Sequence, residues 1–254
     1  MVKPTKNKGL FRDSPSYREF RETGISVTPL KGSQEEVELI SHLLKERGIS
    51  QTLYTGAMAT EESFKELSGA CSSVVHVSTH GFYDSNKTEF PIVQNQIRIW
   101  NIGSSSEISN EELSLSKSGV LLAGAEDYIN GNMVSDLSDD GILTAREIAH
   151  LDLRGLDLAV LSACQTAQGE ITGDGVFGLQ RGFKKAGTNS ILMSLWKVDD
   201  EATCLLMTEF YKNWIGKGKS KHQALELAKQ EVRSRKDWED PKYWAAFILL
   251  DGLD

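Results

Sequence analysis

Cysteine is scarce in this chain: Cys71, Cys164 and Cys204 are the only three in 254 residues, an odd number at wide spacing. That excludes a disulfide framework and a paired-cysteine zinc site, and it fits a reducing, cytoplasmic setting. Basic residues are in deficit, 28 against 36 acidic ones for a net charge of -8. The concentrated basic face that grips a phosphate backbone is therefore missing, and no nucleic-acid partner is expected. No uninterrupted apolar run approaches the roughly 20 residues of a membrane span, and Met1 to Leu10 is polar and basic with no apolar core of a signal peptide. Neither a membrane partner nor export is read from it. No repeat of about 30 to 50 residues is visible, and there is no Gly-x-Ser-x-Gly elbow to suggest a serine hydrolase. Gly216-Lys217-Gly218-Lys219-Ser220 echoes a phosphate-binding loop. Asn213 stands where that loop needs its first glycine, however, and the stretch joins two helical segments instead of following a strand. The sequon Asn86-Lys87-Thr88 has no meaning without a secretion signal. No metal and no cofactor are implied.

What is present is ordinary globular composition, 39% hydrophobic and 25% charged, arranged as strands alternating with helices. This pattern predicts an α/β fold whose mostly parallel sheet is flanked by helices on both faces. Ser33-x-x-Glu36 reads as a capping box before Val37, Ile40, Leu43 and Leu44, with Gly48 closing the helix. Gln51 to Thr55 reads as a short strand, and Thr60 as the cap of a helix carrying Phe64 and Leu67. A second box, Thr144-x-x-Glu147, opens a short helix, and Phe177, Leu179, Phe183 and Ala186 mark a longer one closed by Gly187. Ser190 to Trp196 and Trp244 to Leu250 read as strands, with two helices between them, the second opened by Ser220-x-x-Gln223. Residues 1–26 read as an irregular N-terminal segment and 27–254 as one domain. The polar stretch at about 83–118 reads as a mobile insertion.

Two further apolar runs each lead to one reactive side chain. Val74 to Thr79 leads to His80-Gly81, and Leu158 to Ala163 leads to Cys164. Open α/β sheets build their sites just beyond the carboxyl ends of strands, and an imidazole beside a thiol is what a cysteine nucleophile and its base require. Gly81 would let a backbone N–H approach a reacting carbonyl with no side chain in the way. Cys71 precedes a strand, and Cys204 lies on an apolar helix face. Both read as structural, as does His76 inside its strand. His42, His150 and His222 lie in helical sequence and read as surface or capping residues.

Four ordered blocks carry a family resemblance: His80-Gly81-Phe82-Tyr83, Leu161-Ser162-Ala163-Cys164-Gln165-Thr166, Gly175 to Arg181, and Met193 to Thr203. Together they resemble the CHAT family of caspase-like cysteine peptidases, a clan that includes caspases, separase and clostripain. The similarity extends from about Pro29 to Leu250. It implies a caspase-like sheet over 27–254, a His80/Cys164 dyad, and an oxyanion hole made by the backbone N–H groups of Gly81 and Cys164. True caspases are more distant, since their cysteine motif is Gln-Ala-Cys-x-Gly with the histidine about 50 residues upstream. Here 84 residues separate His80 from Cys164.

In relatives that cleave after Arg or Lys, an acid often stands two residues before the nucleophile, facing the specificity pocket. Ser162 stands there in this chain. A basic specificity would then come from Asp199 or Asp200, each of which could equally cap the following helix. Trp196 reads as pocket wall. The resemblance further implies limited proteolysis of a dedicated protein partner in bacterial defence or regulated cell death. A regulatory helical-repeat region or an activating protein is expected as a further partner. Two other readings stand beside it, a catalytically silent caspase-like scaffold or sensor, and a redox-sensing thiol centred on Cys164.

Overall fold

The computed structural model describes residues 30–70, 72–83, 115–116, 118–129, 139–165 and 173–251. The expected irregular segment 1–26 and most of the expected insertion at 83–118 lie outside them. Six strands form one mixed sheet: β1 (Val74–Tyr83), β2 (Ser118–Leu121), β3 (Ile142–Thr144), β4 (Leu158–Gln165), β5 (Ser190–Ser194) and β6 (Phe247–Leu250). Their spatial order is β3-β2-β1-β4-β5-β6. The central strands β1, β4 and β5 run parallel, while β2, β3 and β6 join antiparallel. From β1 the chain turns outward to β2 and β3, then returns to place β4 on the other side of β1. The carboxyl ends of β1 and β4 thus flank the point where strand order reverses, the place where such sheets open a crevice.

Helices cover both faces. The strand β4 shows why, because its residues 158–162 are buried without alternation, as a strand packed on both sides must be. On one face Ala159, Leu161, Ile191 and Met193 meet Phe64, Ile148, Leu179 and Phe183. These come from α2 (Glu61–Lys65), α4 (Ala145–Ala149) and α5 (Gly173–Ala186), with α3 (Ala125–Ile129) beyond β2. Phe64 and Phe183 pack edge to face at 6.2 Å. On the other face Leu158, Val160 and Leu192 meet Ile40, Leu206, Phe210 and Val232. Those belong to α1 (Lys31–Glu46), α6 (Asp200–Tyr211) and α7 (Lys221–Ser234), with the π-helical turn Lys212–Gly216 continuing α6. Each such apolar side chain contributes roughly 1.5–3 kcal/mol on burial.

The expected caps at Thr60, Thr144 and Ser220 all accept the predicted backbone N–H. The one at Ser33 does not form: α1 begins at Lys31 after Leu30, with no side-chain cap. Glu36 is drawn into the core instead, because Gly32, Glu36 and Ile40 form one i, i+4 row along the buried face of the helix. Residues 51–55 are not a strand either, and Leu53 and Tyr54 there are exposed. The outer edge of β1, the next strand in the chain, is occupied by β2. β2 and β3 were not legible, being three or four residues long and bordered by polar sequence. β5 ends at Ser194, two residues short of Trp196.

One acidic cluster makes stability depend on pH. The carboxyl of Glu61 is 1% exposed, with Lys65 Nζ 2.5 Å away and the Gly141 N–H donating at 3.2 Å. Burial, then the Glu147 charge, raises its pKa to about 8, with Lys65 opposing. Burial likewise raises Asp140 to about 6. A folded-state value above the unfolded one means that the stabilising proton is fully held below the ordinary value of 4.5 and is lost as pH rises through about 8. The free energy of unfolding is therefore expected to decline across that window, by on the order of a few kcal/mol at this site. Urea titrations of the wild type and Glu61→Gln at several pH values check this. Parallel pH profiles for the two proteins would show that Glu61 does not titrate in that range.

Candidate active site

β1 and β4 are paired in parallel register from Val74↔Leu158 to Gly81↔Gln165, and that register sets His80 opposite Cys164. Neighbouring strands lie about 4.8 Å apart, so the two residues are as close as sheet geometry allows. His80 is half-buried. It is not the last residue of its strand, because β1 continues through Gly81, Phe82 and Tyr83, held by antiparallel pairing with β2. Gly81 is buried between Val120 of β2 and Gln165 of β4. Thr79 on the preceding turn of the pleat donates its hydroxyl to the Leu121 carbonyl at 2.6 Å, tying the two strands next to His80.

Beneath this pair lies a buried polar chain. Glu36, 1% exposed, reaches down from α1. Its Oε1 lies 2.6 Å from His76 Nε2 and its Oε2 accepts from the Ser162 hydroxyl at 3.0 Å. His76 Nδ1 lies 3.1 Å from the Tyr211 hydroxyl. Burial, and next the Glu36 charge, pushes the Tyr211 hydroxyl far above its ordinary pKa, so it stays an O–H donor. Ser78 is paired with Ser162 in the register, and its buried hydroxyl has no partner among the described residues. An acid does stand beside Ser162, contributed by a helix more than a hundred residues upstream. Glu36 and Tyr211 are not legible as site residues in the sequence. The one signal for Glu36 is its place on the row of Ile40 and Leu44, which a solvent-facing cap would not occupy.

The family model for the CHAT domain matches residues 3–252. The chain belongs to the CHAT family. The family is related to caspase-like cysteine peptidases, and the sheet of this CHAT domain has the caspase-like α/β arrangement expected. It is also similar to tetratricopeptide repeat protein 28 of Homo sapiens, 29% identical over 225 residues, and to the protein of that name in Mus musculus, 29% identical over 226. Both alignments cover 87% of this chain but 8% of the relative, so the CHAT domain spans about one-twelfth of the curated relatives it matches.

The remaining expected site residues of the CHAT domain cluster past β5. Trp196 is half-buried against the α6 side of the core, and its indole N–H donates to the Lys242 carbonyl at 3.0 Å. Asp199 is exposed and caps α6, accepting from the Ala202 N–H at 3.0 Å. Asp200 accepts from the Gly32 N–H at 2.7 Å, linking the first turn of α6 to that of α1. Both carboxylates are therefore engaged by backbone amides. Cys204 is buried, and burial followed by the charges of Glu36 and Glu35 pushes its thiol to about 11. A thiol kept protonated at neutral pH is no nucleophile. Cys71 lies outside the described residues. Among the described residues no helix is long and apolar enough to cross a membrane.

Proposed function

We propose that the chain is a cysteine endopeptidase in which Cys164 is the nucleophile and His80 its base. The observation that carries the reading is the register His80↔Cys164 on two central parallel strands of a CHAT domain. His80 takes the thiol proton of Cys164, and the thiolate attacks the scissile carbonyl. The backbone N–H groups of Gly81 and Cys164 hold the resulting oxyanion. His80 then protonates the leaving amine, and water, activated by the same imidazole, releases the acyl group. Ser162, Trp196, Asp199 and Asp200 are assigned to substrate binding. The substrate is a protein cut at few places, in a cytoplasmic setting, in defence or regulated cell death. The relatives are named for tetratricopeptide repeats, which supports a helical-repeat region or an activating protein as regulator.

A peptidyl acyloxymethyl ketone tests this directly. Mass spectrometry after incubation is expected to find the adduct on Cys164 and none on Cys204, with labelling slowed about 100-fold or more in His80→Ala. No adduct on Cys164 with any peptide, under conditions that label a thiol reagent control, makes the domain a catalytically silent scaffold.

A further inference from the structure

We propose that Glu36 is the positioning residue of the His80–Cys164 pair, acting through His76 on one strand and Ser162 on the other. The inference rests on the peptidase reading and adds to it a residue from outside the two reactive strands.

The geometry is specific to the two strands that matter. His76 lies four residues before His80 on β1, and Ser162 lies two residues before Cys164 on β4. Strand alternation sets positions 76, 78 and 80 on one face of β1, and the register pairs them with 160, 162 and 164 of β4. A single carboxylate bonded to both His76 and Ser162 therefore spans the seam between the strands two to four residues before the pair. The neighbouring contacts on that face are apolar, from Val160, Leu192 and Leu206. Apolar packing is non-directional and tolerates sliding, whereas two hydrogen bonds to one rigid carboxylate fix relative height and rotation.

The protons in the chain can be assigned without conflict. The Tyr211 O–H donates to His76 Nδ1, which leaves the ring hydrogen on Nε2 to donate to Glu36 Oε1, while the Ser162 O–H donates to Oε2. Both ring nitrogens of His76 and both carboxylate oxygens of Glu36 are thus used, in one direction. The helix that carries the carboxylate is itself fixed one turn earlier, where the Gly32 N–H meets Asp200 Oδ2 at 2.7 Å. A Cβ at Gly32 would lie 2.7–2.8 Å from Asp200 atoms, its backbone oxygen among them, so only glycine admits this approach. α1 accordingly holds β1, β4 and the start of α6 in one frame.

The test uses the full 254-residue chain and acyloxymethyl ketones carrying Arg, Lys, Leu or Asp beside the ketone. In the labelling step the thiolate forms a C–S bond at the methylene carbon, and the carboxylate leaves with the electrons of the broken C–O bond. Inactivation is resolved into kinact and KI. Glu36→Leu is expected to lower kinact about 100-fold, the cost of about 1 Å of misplacement, with KI unchanged and the four probes affected alike. Ser162→Ala is expected to lower it about 10-fold, and Glu36→Gln is expected to recover most of the loss, since its amide oxygen still accepts from His76. If Glu36→Leu does not fold, the Ser162→Ala and Glu36→Gln pair decides. Wild-type kinact in folded Glu36→Leu or in Ser162→Ala overturns the proposal. So does a rise in KI confined to the Arg and Lys probes, which would make Glu36 a specificity acid. If the wild type itself takes no label, the peptidase reading falls and this one with it. If only the variants behave like wild type, the peptidase reading survives alone.

Discussion

Replacing Cys164 with alanine is expected to lower turnover by about 10⁴-fold or more, below detection in a proteome-wide cleavage profile, because it removes the proposed nucleophile that forms the acyl intermediate. The sulfur is small, and the backbone that carries it is fixed by pairing with β1, so the variant should unfold at the wild-type temperature. His80→Ala should cost about 10² to 10⁴-fold, the range for losing a positioned base and acid. Its effect should not add to that of Cys164→Ala, since the two act as one unit. Undiminished turnover in either folded variant sinks the assignment. The same profile reads specificity. Cuts mainly after Arg or Lys would support Asp199 or Asp200 as a pocket acid. Cuts mainly after neutral residues would leave them with the backbone amides they bind here, Ala202 and Gly32.

Gly119→Ala is expected to destabilise the fold by about 2–3 kcal/mol and to slow labelling of Cys164 as well. Gly119 is buried in β2, opposite Phe82 of β1 and Thr144 of β3. A Cβ there would lie 2.5 Å from the Leu143 carbonyl oxygen and 2.6–2.8 Å from the Phe82 ring. The ring can turn, but the carbonyl belongs to a paired strand and cannot move without breaking the ladder. β2 must therefore shift, and it is the strand that holds His80-Gly81-Phe82 from the outer side. Urea unfolding and the labelling rate measure the two effects separately. Wild-type values in both would show that β2 does not support the site.

Much of the candidate site was readable because it lies in local patterns. Apolar runs ending at His80 and Cys164 imply strands whatever surrounds them, and four ordered blocks tie them to one family. The helix starts at Thr60, Thr144, Asp199 and Ser220 were equally local, since a cap bonds an amide two or three residues on. The failures share a cause. Ser33-x-x-Glu36 satisfies the capping pattern, yet the carboxylate goes to His76 and Ser162, partners 40 and 126 residues away. Gln51 to Thr55 has strand-like content but joins no strand of the sheet, while Ser118–Leu121 has little content and pairs because β1 and β3 lie beside it.

By itself, then, the sequence determined the α/β class and the family and singled out His80 and Cys164 as candidates, because strand runs, caps and motif blocks depend on neighbours in the chain. Tertiary structure alone decided three things: which strands became neighbours, that the register sets His80 against Cys164, and that a glutamate with the spacing of a helix cap became the buried link between His76 and Ser162 on the same two strands. A carboxylate is drawn inward only where a folded core offers it donors that offset its lost hydration, and those donors come together only when the sheet is complete.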